Sequence, residues 1–320
     1  MVTETKTGTK SIVWTPISWW QRIKAFGIEG LSEALFGWML LIPVTLLMVV
    51  WFIFPIGYSF YLSLHEVLMG RSAELGYPFV GLGNYLRIFK DPAFPGIVKV
   101  TTYMVVGVVV ITTILALTIS LALNQGFKGR GIARTLLLVP WAVPGVVNAV
   151  MWQWIFNYQY GIANTLLVRL GIIRDNIQWL NQGQTALRLV ILAEIWKATP
   201  FLTLLLLAAL QNVPENLYRA ARMDGASTWQ QFANITLPLV KYKIAIVLIL
   251  QTMWTIKSFD LIKVMTKGGP GRATTTINYY AYDQGFEFLN VGYGAALSYI
   301  IAFIILIITV VYYRLLMRED

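Results

Sequence analysis

The sequence predicts an all-α membrane protein with six transmembrane helices. Of its 320 residues 57% are hydrophobic and only 12% charged, about half the charge expected of a soluble domain. Apolar windows recur at about 36–60, 98–123, 135–156, 188–210, 243–260 and 292–313. Lys and Arg collect between alternate windows. A helix rises about 1.5 Å per residue and the hydrocarbon layer is about 30 Å thick, so every window but the fifth reaches across comfortably. The fifth, KIAIVLILQTMWTIKSFD, needs its polar ends near the interfaces.

Orientation follows from the basic residues. Thirteen Lys and Arg fall in the N-terminal segment, the loop GFKGRGIAR, the stretch 214–243 and the C-terminal tail, against eight in the alternate loops, which are longer. The positive-inside bias therefore places both termini and 214–243 in the cytoplasm. Four regions follow: a cytoplasmic N-terminal segment (1–34), a first span with its external loop (35–97), a five-helix core (98–313) that includes a cytoplasmic loop (211–240), and a cytoplasmic tail (314–320). Within the N-terminal segment Ile17, Trp20, Ile23, Ile28 and Leu31 share one helical face, which suits an interfacial helix leading into the first span. The first apolar run begins near residue 35 with no small-residue cleavage site after it, unlike a secretory signal.

Composition removes several functions. The absence of cysteine excludes disulfides and thiolate chemistry, and one histidine, His65, cannot build a multi-histidine metal centre. No metal or other cofactor is expected, and His65 reads as a residue flanking the first span. The net charge of +10 is accounted for by topology and needs no nucleic acid. No G-x-x-x-x-G-K-[ST] phosphate loop occurs; GFKGRG at 126–131 lacks its Lys-Ser/Thr end. The chain carries no ATPase and no assembled catalytic constellation, so an enzyme is not expected.

The segment between the fourth and fifth windows, PENLYRAARMDGASTWQQFANITLPLV at 214–240, is polar and built as two short helices around a turn. Pro214 suits a helix start. Asp224-Gly225 forms the turn, glycine supplying the left-handed backbone that ends a helix. Ser227 with Gln230 is a capping box opening the second helix, and Pro238 is expected to close it. Leu217, Met223, Trp229 and Phe232 are expected to anchor this hairpin on its own bundle, while the small residues Ala220, Ala221, Gly225 and Ala226 let another surface approach. From composition alone the segment could equally be a loop lying along the membrane.

Ala220-Ala221, three residues, Gly225, nine residues, Ile235, one residue, Leu237-Pro238 resembles the EAA loop of permease subunits of ABC-type importers. WKATPFLTLLLLAALQNVPENLYRAARMDGASTWQQFANITLPLV, NQGFKGRGIARTLLLVPWAVPGVV and FDLIKVMTKGGPGRATTTINYYAYDQGFEFLNVGYGAALSYI are similar to the carbohydrate-uptake group of that family, from about residue 98 to the end. The resemblance implies the type I ABC importer permease fold in a prokaryotic cytoplasmic membrane, importing a sugar or oligosaccharide. It implies three kinds of partner besides membrane lipid: a second, related permease, two ATP-binding subunits and an extracytoplasmic substrate-binding protein. Tyr218, Arg219, Ala220, Ala221, Asp224, Gly225, Ala226, Ile235 and Pro238 would then couple the chain to the ATPase. Arg219 stands where the family usually has the Glu of Glu-Ala-Ala, which reverses one charge at the docking helix. Import of a sugar phosphate or polyol, or ion-driven secondary transport, are the alternatives; the latter lacks an internal repeat and leaves the loop unexplained.

Within the spans, Glu194 and Lys197 lie one turn apart, close enough to neutralise each other. Alternatively they line a hydrated path with Trp196, Thr199, Gln251 and Trp254, where a sugar can stack and hydrogen-bond. Lys257 and Asp260 read as an interface pair. In VPWAVPGVV, Pro140, Pro144 and Gly145 interrupt backbone hydrogen bonding, as does Pro200, either as packing kinks or as flexing elements. The run Gly268-Gly269-Pro270-Gly271 is an external loop, which the resemblance turns toward the binding protein.

Overall fold

A computed structural model describes residues 33–69 and 76–317. The expected interfacial helix at 17–31 lies outside the described residues. The chain divides into two units, residues 1–58 and 59–320.

The described part of the first unit is one apolar helix, α1 (Leu35–Ser63), whose last residues belong to the second unit. Among the described residues Trp38, Trp51 and Phe54 are exposed along it. Such faces belong in lipid or against another chain.

Among its described residues the second unit is helical, with the isolated bridges His65 to Phe79 and Leu68 to Asn290. Its helices are α2 (Gly83–Lys90), α3 (Phe94–Asn124), α4 (Arg130–Ala142), α5 (Gly145–Ile155), α6 (Ile162–Arg169), α7 (Gly183–Gln211), α8 (Glu215–Met223) and α9 (Thr228–Gln231). They continue with α10 (Leu237–Ile256), α11 (Asp260–Met265), α12 (Ile277–Tyr282) and α13 (Val291–Tyr312). The expected third span is two helices, α4 and α5, bent by 92°. Counted as one span, they bring the described chain to six. The cause is local: Val143 and Pro144 are both extended (ψ 127° and 147°). A residue before proline avoids the α region, and proline supplies no N–H to continue the ladder.

α7 is the most deeply packed helix. Met104 and Val108 of α3 meet Val190 and Ile191 near its start, Ala116 meets Leu202 and Leu206 at its middle, and Leu121 meets Ala209 and Leu210 near its end. Start meets start, so α3 and α7 run parallel. Gly107 faces Ile191, where a Cβ would stand in ordinary contact at 3.6 Å. α10 runs the other way: Val240 packs at the α7 end with Leu210, Val247 at the middle, and Ile256 beside Ile97 at the α3 start.

Helix ends are closed from other segments. Buried Asn84 donates from Nδ2 to the carbonyls of Ser63 and His65, at 2.9 Å each. His65 is buried after the end of α1, its Nδ1 2.6 Å from the Tyr61 carbonyl oxygen. Thr101 of α3 accepts from the Ile277 N–H at 2.9 Å, meeting the first turn of α12.

Pro238 does not close a helix. It follows a π-turn, Phe232–Thr236, in which the Leu237 N–H reaches the Phe232 carbonyl, and α10 runs on from there. The wider turn draws the preceding carbonyls away from the proline ring, whose clash would otherwise end the helix. Pro55 stands in the same relation to the π-turn Val49–Ile53, where the Phe54 N–H reaches Val49.

Asn84→Ala leaves two buried carbonyls without a donor and is expected to lower stability by about 2 kcal/mol. Asn84→Asp, which keeps the shape and loses the donor, is expected to do the same. Thermal unfolding of the purified chain in detergent reads both, and unchanged melting of either would contradict the assignment.

Candidate functional site

The segment 214–238 links the end of α7 to the start of α10, at the opposite end of the bundle from the starts of α3 and α7. Pro214 is extended (ψ 127°) and α8 begins one residue later. Its end is the expected turn: Gly225 has φ +76°, and the Ala226 N–H reaches back to the Ala221 carbonyl at 2.9 Å. The capping box is present in both directions, Gln230 N–H to Ser227 Oγ at 3.3 Å and Ser227 N–H to Gln230 Oε1 at 2.7 Å.

Two expectations change. Arg219 does not present an isolated positive charge, because its Nε and Nη2 donate to the Glu215 carboxylate one turn earlier, at 3.3 and 3.1 Å. The hydrogen bond from Arg219, with its charge, holds the Glu215 carboxyl below its ordinary pKa. Nor do Leu217, Met223 and Trp229 anchor the hairpin: all three are exposed, Met223 at 88% and Trp229 at 73%. What ties the hairpin to the bundle is narrower. Tyr218 Oη lies 2.8 Å from Thr236 Oγ1 in the π-turn that leads into α10; within the hairpin itself, Gln231 donates to the Ala226 carbonyl and fixes its turn. Ala221, Ala226 and Ile235 are half-buried behind this contact, while Arg219, Ala220, Asp224 and Pro238 remain exposed.

The six intramembrane candidates do not form one group. Glu194 and Lys197, both half-buried, make no ion pair within 4.0 Å among the described residues. Ser258 donates to Glu194 Oε2 at 3.3 Å. Lys197 turns toward the break between α4 and α5: a Cβ on Gly145 would stand 3.4 Å from its Nζ and 2.6 Å from Asp260 Oδ2. Asp260 thus faces Gly145 and Lys197 rather than Lys257, since the helix ends at Lys257 and resumes at Asp260. Sequence reasoning missed this: a helix break removes the one-turn relation, and its signal was Ser258-Phe259-Asp260 directly after α10. Trp196 meets Trp152 edge-on at 6.0 Å. Thr199 is buried and donates to the Ile195 carbonyl at 2.6 Å, and so serves its own helix. Gln251 is fully buried; its Nε2 donates to Thr255 Oγ1 at 3.2 Å and its Oε1 has no partner. Trp254 closes an aromatic row with Phe201 and Trp141 at centroid spacings of 5.5 and 5.3 Å.

Residues 114–318 match the family described as binding-protein-dependent transport system inner membrane component. The chain belongs to that family. It is 39% identical over 282 residues to the trehalose/maltose transport system permease protein MalF of Thermococcus litoralis, covering 88% of this chain and 94% of that one. Against the sulfoquinovosyl glycerol transport system permease protein SmoG of Agrobacterium fabrum it is 34% identical, covering 91% and 93%. Its fold is that of a bacterial ABC transporter solved for import of the acidic polysaccharide alginate, with a TM-score of 0.77 at 21% identity over 94% of this chain and 99% of that one. Membership of this family of transport permeases sets aside ion-driven secondary transport.

Gly145→Ala is expected to drive the Asp260 carboxylate off the start of α5 and lower stability by about 1–3 kcal/mol for overpacking, read as a lower melting temperature. Asp260→Ala should be less costly on the Gly145→Ala background than on the native one. A double-mutant cycle of thermal unfolding measures the coupling, and strict additivity would contradict the contact.

Proposed function

We propose that this chain forms half of the translocation path of an ATP-driven, binding-protein-dependent importer for a sugar or oligosaccharide. It works in a prokaryotic cytoplasmic membrane with a second permease, two separate ATP-binding subunits and an extracytoplasmic binding protein. The observation that carries the coupling role is the hairpin at 214–238. It is folded by its own turn and capping box, held to the bundle by Tyr218 and Thr236, and exposes Met223 and Trp229. Exposed anchors on a small rigid element suit a socket in a partner. The positive-inside bias puts this end of the bundle, with both termini, in the cytoplasm where ATP is available.

Coupling then has a physical route. ATP-driven closure of the partner subunits displaces α8, and the Tyr218–Thr236 contact carries that displacement into the start of α10. The bundle answers by repacking between inward-open and outward-open arrangements. The self-paired Glu215 and Arg219 offer the ATPase a carboxylate one turn ahead of the usual position, so the partner needs no compensating acidic group.

Along the path, Glu194, Lys197, Ser258 and Asp260 offer hydrogen-bonding groups beside the aromatic faces of Trp196 and Trp152, with Gln251 and Trp254 farther along α10. Polar groups beside flat apolar rings suit a sugar, which has hydroxyl edges and apolar faces. Relatives named for trehalose/maltose and for sulfoquinovosyl glycerol support this class. A solved neighbour is titled as a complex with an alginate pentasaccharide-bound periplasmic protein, which supports a binding-protein partner. The chain is also 32% identical over 292 residues to a permease named for sn-glycerol-3-phosphate transport in Yersinia pestis. A sugar phosphate is the poorer fit, because two carboxylates outnumber the one Lys in the group at Gly145.

The test is ATP-driven uptake into liposomes holding the full complex, native against Gly225→Val. A β-branched residue at φ +76° costs about 1–3 kcal/mol of backbone strain. Uptake is expected to fall at least tenfold, with loss of the ATPase subunits on co-purification. Unchanged uptake and assembly would overturn the coupling role.

A further inference from the structure

At the end of the bundle where α3 and α7 begin, a cavity of about 660 Å³ opens between the two helices and the loop 271–273. Val100, Tyr103 and Leu187 supply apolar lining, and Lys99, Arg188 and Arg272 line it as well. All three cations are exposed, and among the described residues none of them makes an ion pair. The carboxylate nearby is already occupied. Asp91 accepts from Tyr280 Oη, from Tyr293 Oη at 3.1 Å and from the Ala93 N–H at 2.8 Å. Burial works against its charge, but these bonds and the charge of Arg272 outweigh burial and hold the carboxyl below its ordinary pKa.

Lys99 lies five residues into α3 and Arg188 five residues into α7. The helices are parallel and staggered, with Gly107 opposite Ile191, so Lys99 stands at the rim of the groove and Arg188 about 7 Å deeper along it, beside Tyr103. From such depths basic side chains on a spanning helix reach for phosphate groups. Below Lys99, along the same flank of α3, Tyr103, Val106 and Val110 are exposed. Cations at and just inside the rim, over a continuous apolar flank, complement a charged headgroup with acyl chains, and they fit neither a neutral sugar nor an apolar protein segment.

We infer that this groove is a binding site for one anionic phospholipid, its phosphate held by Lys99, Arg188 and Arg272 and an acyl chain lying along Tyr103, Val106 and Val110. Only the leaflet rests on the orientation proposed above, which makes it the outer one; the site itself does not depend on the transported substrate or on ATP coupling.

The probe is phosphatidylglycerol against phosphatidylcholine of matched acyl chains, offered to the full complex in mixed nanodiscs and read by native mass spectrometry of retained lipid. The native complex is expected to retain phosphatidylglycerol in preference. Removing a cation near a phosphate weakens binding about fivefold, so Lys99→Gln with Arg188→Gln should cut that preference at least tenfold. Lys99→Arg should keep it, and Lys128→Gln with Arg130→Gln, in the loop between α3 and α4, should leave it unchanged. Gel filtration of each variant complex reports folding, and Arg272→Gln, outside the spans, gives a second reading if the double variant fails to assemble. Equal retention of both lipids by the native complex would overturn the site. So would displacement by glycerol phosphate at the same concentration, which would mean a free anion, or loss of the groove to the binding protein whatever lipid is present.

Discussion

Every backbone N–H and carbonyl in the hydrocarbon layer needs a partner inside the protein, and this constraint decides where the chain can depart from a straight helix. Departures occur where a neighbour takes over. At Val143 and Pro144 the ladder stops and the chain turns by 92°, with Asp260 and Lys197 brought against the restart at Gly145. At Pro55 and Pro238 the ladder survives because a π-turn immediately before absorbs the missing donor. α7, buried along most of its length between α3 and α10, supplies the surface on which these irregular pieces rest.

The hairpin at 214–238 lives under a different rule. Its polar groups are met locally, by the capping box, the left-handed glycine and the Glu215–Arg219 pair, so it is shaped before any partner arrives. Its contact with the bundle, Tyr218 to Thr236, falls at the π-turn where the backbone is already widened. Rigid geometry at the tip joined to an irregular turn at the root is an arrangement through which a displacement can enter α10.

The features legible in the sequence were those set by neighbours in the chain. Asp224-Gly225 and Ser227 with Gln230 act over three or four residues, and both took the expected form. The spans were legible because a run of apolar side chains has few other fates. Pro238 was misread because a proline tells only that a donor is missing; whether a π-turn compensates depends on how Thr236 and Val240 pack. Glu194 and Lys197 were adjacent on paper, yet Ser258 and the Gly145–Asp260 contact from other segments claim them. Met223 and Trp229 showed an apolar face without showing whose surface it meets. The 92° bend was legible only as an interruption, since Pro144 specifies a stop and not an angle.

The hairpin is proposed above as the cytoplasmic surface that an ATPase covers. The chain has no cysteine of its own, so Met223→Cys gives a single thiol at the hairpin's most exposed apolar side chain. The measurement is modification of that thiol by a membrane-impermeant maleimide in inside-out vesicles, with and without the ATPase subunits. Rapid modification of the chain alone and protection in the complex are the results expected of that role. Equal modification in both, or modification only from the opposite face of the membrane, would contradict it.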